Sequence, residues 1–294
     1  GGSAIDSAKA IAMGVPYEGD VWDFYAGKAK LKESLPIGVV LTIPAAGSES
    51  SPSTVITNED GLQKVGFGSI LLRPKFALMN PELTFSLPAY QTACGVADMM
   101  AHIMERYFTR EPDVGFGDHM CEAALRSIIQ EAPKAIAEPE NYGPRANIMW
   151  AGTFAHNDIL GVGRSEDWAS HNIEHQLSAL YDIAHGAGLA IVFPAWMKYV
   201  YKQDVNRFVQ FAVRVFNVEQ DFHNPERTVL EGIRRLEDFF HRIGLPTTLA
   251  EAGIAPDRLA EMADMATAGD TVTLGSFMPL AKKDVLAIYE LSKG

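Results

Sequence analysis

Apolar positions recur with two different periods along the chain, and the change falls near Leu87. Before it, short apolar runs bounded by proline and small polar residues predict strands at 36–44, 53–57 and 75–81. After it, apolar residues at i, i+3 and i+4 predict helices. The predicted helices span 89–108, 121–136, 144–160, 166–181, 189–201, 205–216, 227–243 and 284–292. The pattern therefore predicts an α/β segment over 1–87 and an all-helical domain over 88–294.

Charge and composition narrow the class of partner. The chain has 294 residues and a formal net charge of −12, with no basic run. Such a surface disfavours nucleic acid and anionic membranes and fits a small-molecule substrate. No apolar run reaches the roughly 20 residues of a membrane span, and no signal-peptide pattern opens the chain, so we expect a cytoplasmic protein. Cys94 and Cys121 lie in apolar contexts and are expected to be buried free thiols.

Histidines are crowded in the segment SHNIEHQLSALYDIAHGAG. His171 and His175 share one face of a predicted helix, and His185 follows the end of that helix, where a turn can bring it back. Asp98 and His102 occupy i and i+4 of another apolar helix. One carboxylate with imidazoles suits Zn²⁺ or Fe²⁺. Spacing alone leaves open whether His171 or His175 completes the set.

Other interpretations compete with a metal site. Asp98 and His102 could simply hydrogen-bond each other, and a buried histidine is usually satisfied by a carbonyl group. Three other functions also use such residues: a metal-dependent phosphohydrolase, a lyase of the dehydroquinate synthase type, and a protein that holds metal without catalysis. The phosphohydrolase typically needs adjacent His-Asp, which the chain lacks. The lyase would need more lysine and arginine near the site.

Two small-residue loops are candidates for nucleotide binding. The segment GGS precedes a predicted helix, where free N–H groups could bind a pyrophosphate. The loop TIPAAGSESS follows a predicted strand, the usual ligand position in an α/β sheet. Its Ser48, Ser50 and Ser51 could donate to a cofactor, and a solvent-facing turn explains them equally well.

These motifs, in this order, resemble the iron-containing alcohol dehydrogenases, most closely the butanol dehydrogenase branch. GGSAIDSAK is similar to the end of that family's G-G-G-S-x-x-D-x-x-K, and TIPAAGSES to its loop T-x-P-x-x-G-[ST]-x-[SE]. VADMMAHIMERY matches its helix D-x-x-x-H-x-x-E, and HNIEHQLSALYDIAHG matches H-x-x-x-H-x(9)-H-G. Asn80 departs from the aspartate usual in the family.

The resemblance implies roles for individual residues. Asp98, His102, His171 and His185 would hold the metal, Fe²⁺ or Zn²⁺, and His175 would lie near the nicotinamide as a catalytic residue. The residues implied to bind the cofactor, NAD or NADP, are Gly1, Gly2, Ser3, Asp6, Thr42, Ser48, Ser51 and Lys64.

The resemblance also implies an architecture and a reaction. Residues 1–87 would form the C-terminal part of a dinucleotide-binding domain, whose N-terminal part, with the loop that separates NAD from NADP, is expected to be missing. Residues 88–294 would form the helical metal-binding domain of a dehydroquinate synthase-like fold. The implied reaction is hydride transfer between NAD(P) and a short-chain primary alcohol or aldehyde, with a homodimer as the candidate assembly. A truncated homologue without catalytic activity is the alternative.

Overall fold

The computed structural model describes residues 1–60 and 63–294. Among these residues, the first part of the chain contains two α-helices and four strands. They are α1 (Gly2–Gly14), α2 (Trp22–Tyr25), β1 (Gly38–Val40), β2 (Ser53–Asn58), β3 (Gln63–Gly68) and β4 (Phe76–Leu78). β1 pairs with β4 in parallel, and β2 pairs with β3 antiparallel. The strand β3 was not predicted, because its sequence QKVGFG carries two glycines and its apolar alternation is limited to Val65 and Phe67.

The strand predicted over 36–44 is shorter and less buried than its sequence indicates. Only Gly38–Val40 is strand, and Val40 is 57% exposed. The buried face of α1 includes a lysine in place of an apolar residue. Ile11 is 66% exposed, whereas Lys9 is fully buried. Apolar spacing alone gives no indication that a lysine lies on the inner face of α1.

Helices make up the chain from residue 89 onward. They are α3 (Ala89–Tyr107), α4 (Gly115–Ala137), α5 (Tyr142–His156), α6 (Ala169–Tyr181), α7 (His185–Val200), α8 (Val205–Phe216), α9 (Pro225–Arg242), α10 (Leu259–Ala266) and α11 (Lys282–Leu291). All eight predicted helices are present, and α10 is additional. The boundary near Leu87 between two domains remains a prediction.

Helix α3 lies at the centre of the helical part. Every residue from Thr92 to Tyr107 is buried, and α3 packs against α4, α5, α6 and α7. A helix buried on all sides must be apolar or have its polar groups paired. The polar side chains of α3 must therefore be paired within the protein or bind a ligand.

The loop between β1 and β2 packs onto these helices. A Cβ added at Gly95 of α3 would collide with the carbonyl oxygen of Pro44. Gly47 adopts φ +65°, and a Cβ there would lie 2.9 Å from Cβ of His156. Glycine is needed at both positions because the backbones approach closely. These contacts place the predicted nucleotide loop next to α3 and α5.

Two further expectations concern the cysteines and membranes. Cys94 and Cys121 are buried and free, as predicted. Among the helices of the described residues, none has the length and apolar character required to cross a membrane.

Candidate metal and cofactor site

Three histidines approach one carboxylate oxygen. The Nε2 atoms of His102, His171 and His185 lie 3.4, 3.8 and 3.9 Å from Oδ1 of Asp98. Asp98, His102 and His171 are buried, and the His185 side chain is 27% exposed. Ligand atoms of Asp98, His171 and His185 therefore lie within 4.8 Å of one another, open to solvent on the side of His185. His102 joins this group through its approach to Asp98 and lies outside the set of mutually close ligand atoms.

The polar atoms at this point lack hydrogen-bond partners. Oδ1 of Asp98 and Nε2 of His171 are buried, and neither hydrogen-bonds to any described residue. An unpaired buried polar atom costs about 1–3 kcal/mol. A cation bound between these atoms would remove that cost, and one carboxylate with imidazole nitrogens is a donor set that suits Zn²⁺ or Fe²⁺. The residues thus fit the predicted metal.

The backbone explains how these side chains meet. Asp98 and His102 share one face of α3 at i, i+4 spacing, and His171 lies in the first turn of α6. His185 was expected on a turn, but it is the first residue of α7. The predicted ligand set therefore lies on three helices, and not on two helices and a turn.

Two glycines allow the start of α7 to approach the site. A Cβ at Gly186 would collide with the backbone of Cys94 in α3, and a Cβ at Gly188 would collide with the carboxylate of Glu174 in α6. The small residues of HGAG therefore allow the start of α7 to pack closely against α3 and α6. A side chain at Gly186 would force the start of α7 away from α3, and a side chain at Gly188 would displace the Glu174 carboxylate.

Two glutamates that the sequence analysis assigned no role contact the histidines from behind. Glu105 accepts from Nδ1 of His171 at 2.9 Å, and Glu174 accepts from Nδ1 of His185. Both glutamates are fully buried. Sequence spacing does not reveal these pairs, because each glutamate binds a histidine of another helix: Glu105 of α3 binds His171 of α6, and Glu174 of α6 binds His185 of α7.

The electrostatics favour an ionised Asp98. Burial alone would raise the pKa of Asp98, but the neighbouring His102, His171 and His185 hold it well below its usual value. Burial and the adjacent His171 lower the pKa of His102 to about 4. For His171, burial acts against protonation, but Asp98 and Glu105 outweigh it and raise the pKa to about 9. A divalent cation would compete with that proton for His171 Nε2.

His175 does not join the group around Asp98. Its ring centroid lies 5.5 Å from that of His185, and its nitrogen lies close to ligand atoms of Glu174 and His185. Burial and the nearby His185 and Lys64 keep the pKa of His175 well below its usual value. His175 is thus a neutral imidazole next to the predicted metal ligands, on the side that faces β3.

On the side of His102, the site is bordered by His156, a histidine to which the sequence analysis assigned no role. The ring centroid of His156, the last residue of α5, lies 4.2 Å from that of His102. Nδ1 of His156 lies 3.0 Å from a guanidinium nitrogen of Arg106. Trp168 lies edge-on to His102, with ring centroids 5.4 Å apart, and lines the site on this side. Trp150 of α5 is 65% exposed and lies outside this group.

Three of the predicted cofactor residues, Asp6, Ser48 and Ser51, form a separate cluster around Lys9. The ammonium group of Lys9 donates to Ser48 Oγ and to the carbonyl oxygens of Ser48, Ser51 and Ser53, at 2.7–3.0 Å. Asp6 accepts from Ser48 Oγ at 2.5 Å and from the N–H of Val55 at 2.9 Å. Asp6, Ser48 and Ser51 therefore hold the loop between β1 and β2 in shape through their own contacts.

The remaining predicted cofactor residues lie at the ends of elements. Gly1 caps α1, Gly2 and Ser3 begin it, and a Cβ at Gly1 would lie 3.2 Å from Cβ of Ile43. Thr42 is exposed in the same loop. The free N–H groups at the start of α1 thus lie beside the loop after β1, which is suitable for an anion. Lys64 is half-buried in β3, opposite Thr57.

Comparison with known families divides the chain into two matched segments. Residues 1–81 match the model described as iron-containing alcohol dehydrogenase. Residues 92–292 match the C-terminal model of the Fe-containing alcohol dehydrogenase family. The two segments together span most of the chain.

Individual relatives agree with these matches. The chain is 45% identical over 292 residues to the probable NADH-dependent butanol dehydrogenase 1 of Bacillus subtilis, covering 99% of this chain and 75% of the relative. It is 38% identical over 260 residues to an NADPH-dependent aldehyde reductase of Escherichia coli, covering 86% of this chain and 66% of that protein. The crystal structure of NADH-dependent butanol dehydrogenase A from Thermotoga maritima superposes with a TM-score of 0.95 at 41% identity, over 100% of this chain and 75% of that one. The chain therefore belongs to the iron-containing alcohol dehydrogenase family, on its butanol dehydrogenase-like branch.

Proposed function

We propose that this protein is a metal-dependent oxidoreductase that transfers a hydride between NAD(P) and a short-chain primary alcohol or aldehyde. The observation that carries the proposal is the approach of three imidazole nitrogens to one unpaired oxygen of Asp98. The relatives support it, because they are named as butanol dehydrogenases and an aldehyde reductase. They give no support to the lyase or phosphohydrolase alternatives.

Each side chain has a distinct task in this proposal. Asp98 supplies the negative charge and the histidines supply neutral donors, so the set leaves a divalent cation with net positive charge. Such a cation acts as a Lewis acid toward an alcohol or aldehyde oxygen, and NAD(P) carries the hydride. Trp168 would line one side of the reaction site, which is open to solvent beside His185. The neutral His175 lies on the side facing β3, where it would contact cofactor or substrate.

The cofactor would bind between the start of α1 and the loop after β1. In this arrangement the N–H groups of Gly2 and Ser3 face the pyrophosphate. Lys9 and Asp6 fix the loop, and Lys64 approaches from β3. The proposed metal is Fe²⁺ or Zn²⁺, and the proposed cofactor is NAD or NADP. The homodimer and the cytoplasmic location remain predictions.

The test combines metal content with turnover. Protein purified after reconstitution with Fe²⁺ or Zn²⁺ is expected to hold about one ion per chain and to oxidise NADH or NADPH with butanal. Asp98→Asn should lose the ion and the activity together. Asp284→Asn, a matched change at a buried carboxylate of α11, should keep both. Full metal occupancy in Asp98→Asn would contradict the assignment, and NADH titration by fluorescence would detect a chain that holds metal but binds no cofactor.

A further inference from the structure

We propose that Glu105 and Glu174 are positioning residues that aim Nε2 of His171 and His185 at the cation and thereby set its affinity. The inference rests on the proposed function, because it concerns the same cation. It goes further by giving a task to two fully buried carboxylates: Glu105, which ends the motif D-x-x-x-H-x-x-E without an assigned role, and Glu174, which occupies a variable position of the histidine motif.

Glu105 connects α3 to the start of α6. Its Oε1 accepts from both Nδ1 and the backbone N–H of His171, at 2.9 and 3.1 Å, and its Oε2 accepts from the N–H of Trp168 at 2.9 Å. Helix α6 has no cap from its own N-cap side chain. Glu105 therefore caps α6 from a neighbouring helix and fixes the ring of His171 with the same carboxylate.

Glu174 holds His185 in a similar way from within α6. One of its oxygens accepts from Nδ1 of His185, and the other accepts from Ser178 Oγ at 2.5 Å. Gly188 leaves the room that the carboxylate occupies, since any Cβ there would collide with Glu174. The glutamate, the serine and the glycine together fix the plane of the His185 ring.

The chemical consequence is a defined tautomer. An imidazole that donates its Nδ1–H to a carboxylate keeps its lone pair on Nε2, and the carboxylate also makes that nitrogen more basic. In His171 and His185, Nε2 is the atom that faces Asp98. Both effects strengthen cation binding.

His102 provides an internal contrast. It also faces Asp98 through Nε2, but its Nδ1 is buried without a hydrogen-bond partner among the described residues. The three histidines are therefore not equivalent. Two are held by carboxylates from behind, and one is held by packing against His156 and Trp168.

A purely structural role is the competing explanation, because a buried glutamate between helices also stabilises the fold. Glu174→Gln separates the two. Glutamine keeps the size and one acceptor oxygen for His185 but removes the charge, so the metal-free fold should persist. A structural role predicts lower thermal stability of the metal-free protein with unchanged affinity for the cation. A positioning role predicts an unchanged thermal stability of the metal-free protein and a lower affinity for the cation.

The experiment measures the dissociation constant for Co²⁺ and Zn²⁺ by competition with a chelator. It also records the visible absorption of the Co²⁺-loaded protein and the thermal midpoint of the metal-free protein. Glu174→Gln and Glu105→Gln are each expected to weaken binding by about 10- to 100-fold and to shift the Co²⁺ bands. Glu122→Gln is the control, because Glu122 is equally buried but binds Tyr107 and Gln210, away from the site.

The outcomes separate this inference from the proposed function. Wild-type affinity and Co²⁺ bands in Glu174→Gln would overturn the inference and leave the proposed function standing. Equal weakening in Glu122→Gln would also overturn it. A wild-type chain that binds neither Co²⁺ nor Zn²⁺ would overturn both. If Glu105→Gln fails to fold, Glu174→Gln alone decides.

Discussion

Two buried polar clusters lie close together in this protein, and they differ in how their hydrogen bonds are satisfied. Around Lys9, the ammonium group, the Asp6 carboxylate and the loop carbonyls all find partners within the chain. Around Asp98, carboxylate and imidazole atoms are brought together without hydrogen-bond partners among the described residues. We call the first cluster closed and the second open, and the proposed cation would complete the open cluster.

The difference separates scaffold from site. A closed cluster of polar groups rigidifies the backbone around it, as the Lys9 cluster does for the loop after β1. An open cluster, held by the carboxylates of Glu105 and Glu174, keeps unpaired atoms at a point where a ligand can satisfy them. Motif spacing identified residues of both clusters as functional, and only the coordinates distinguish these two tasks.

Removal of the cation should have the largest effect on stability, because the atoms of the open cluster would lose the ligand that pairs them. A ligand present at a thousandfold excess over its dissociation constant stabilises the native state by about 4 kcal/mol. We therefore expect chelation of the metal-loaded protein to lower its thermal midpoint by several degrees. Scanning calorimetry with and without chelator measures this. An identical midpoint in both states would mean that the open cluster binds no cation.

Breaking the closed cluster should reduce stability without releasing metal. Lys9→Met removes the donor to three loop carbonyls and leaves buried acceptors unpaired, at a cost of about 3 kcal/mol in the free energy of unfolding. Denaturant titration measures the loss, and elemental analysis should show an unchanged metal content. Loss of metal in a folded Lys9→Met protein would show that the two clusters are coupled.

Lys9 should also make stability depend on pH, with a smaller effect. Burial lowers the pKa of Lys9 to about 8, below its value of 10.5 in the unfolded chain, although Asp6 and Glu49 act in the opposite direction. Between pH 8 and 10.5 the unfolded chain therefore binds more protons, so stability contributed by this group rises with pH and is lost as pH falls through 8. Denaturant titrations of wild type and Lys9→Met across this window should show a gap that widens with pH.

The helices and the family were predictable because their signals are local or combine into motifs. The apolar period of α3 predicted residues 89–108, and the structure has Ala89–Tyr107. The family resemblance drawn from four motifs was correct. Such features depend on neighbouring residues in the chain, which a sequence shows directly.

The start of α7 and the role of Lys9 were not predictable, because both depend on contacts between distant segments. HGAG has the composition of a turn, yet Gly186 and Gly188 serve close packing against α3 and Glu174. Lys9 is a long charged side chain in a surface-like pattern, and only the loop carbonyls supplied by residues 48–53 allow its burial. The sequence contains these partners but not their proximity.

The three histidines of the open cluster should differ in their contribution to metal affinity. Glu105 makes Nε2 of His171 the more basic donor, whereas His102 has no carboxylate behind it. We expect His171→Ala to weaken Zn²⁺ binding about tenfold more than His102→Ala, a difference of ~1.4 kcal/mol. Chelator competition measures both constants. Equal losses would show that the carboxylates do not differentiate the ligands.

The smallest effects should come from the serines of the closed cluster, and they decide whether these serines are scaffold or cofactor contacts. Ser48 Oγ donates to Asp6 and accepts from Lys9 at 2.9 Å, while Ser51 Oγ makes only longer contacts, 3.4 Å to Lys9 and 3.3 Å to the N–H of Ser53. Ser48→Ala should therefore cost about 1–2 kcal/mol of stability and Ser51→Ala less than about 1 kcal/mol.

In both serine variants the affinity for NADH, measured by fluorescence titration, should change less than stability does, because the hydroxyls face inward. The opposite pattern is what the family resemblance implies: NADH binding would weaken while the unfolding free energy stays constant. That result would place the two hydroxyls on the cofactor. The contrast between a closed and an open cluster would then no longer separate scaffold from site, because a group already paired within the chain would also be contacting a ligand.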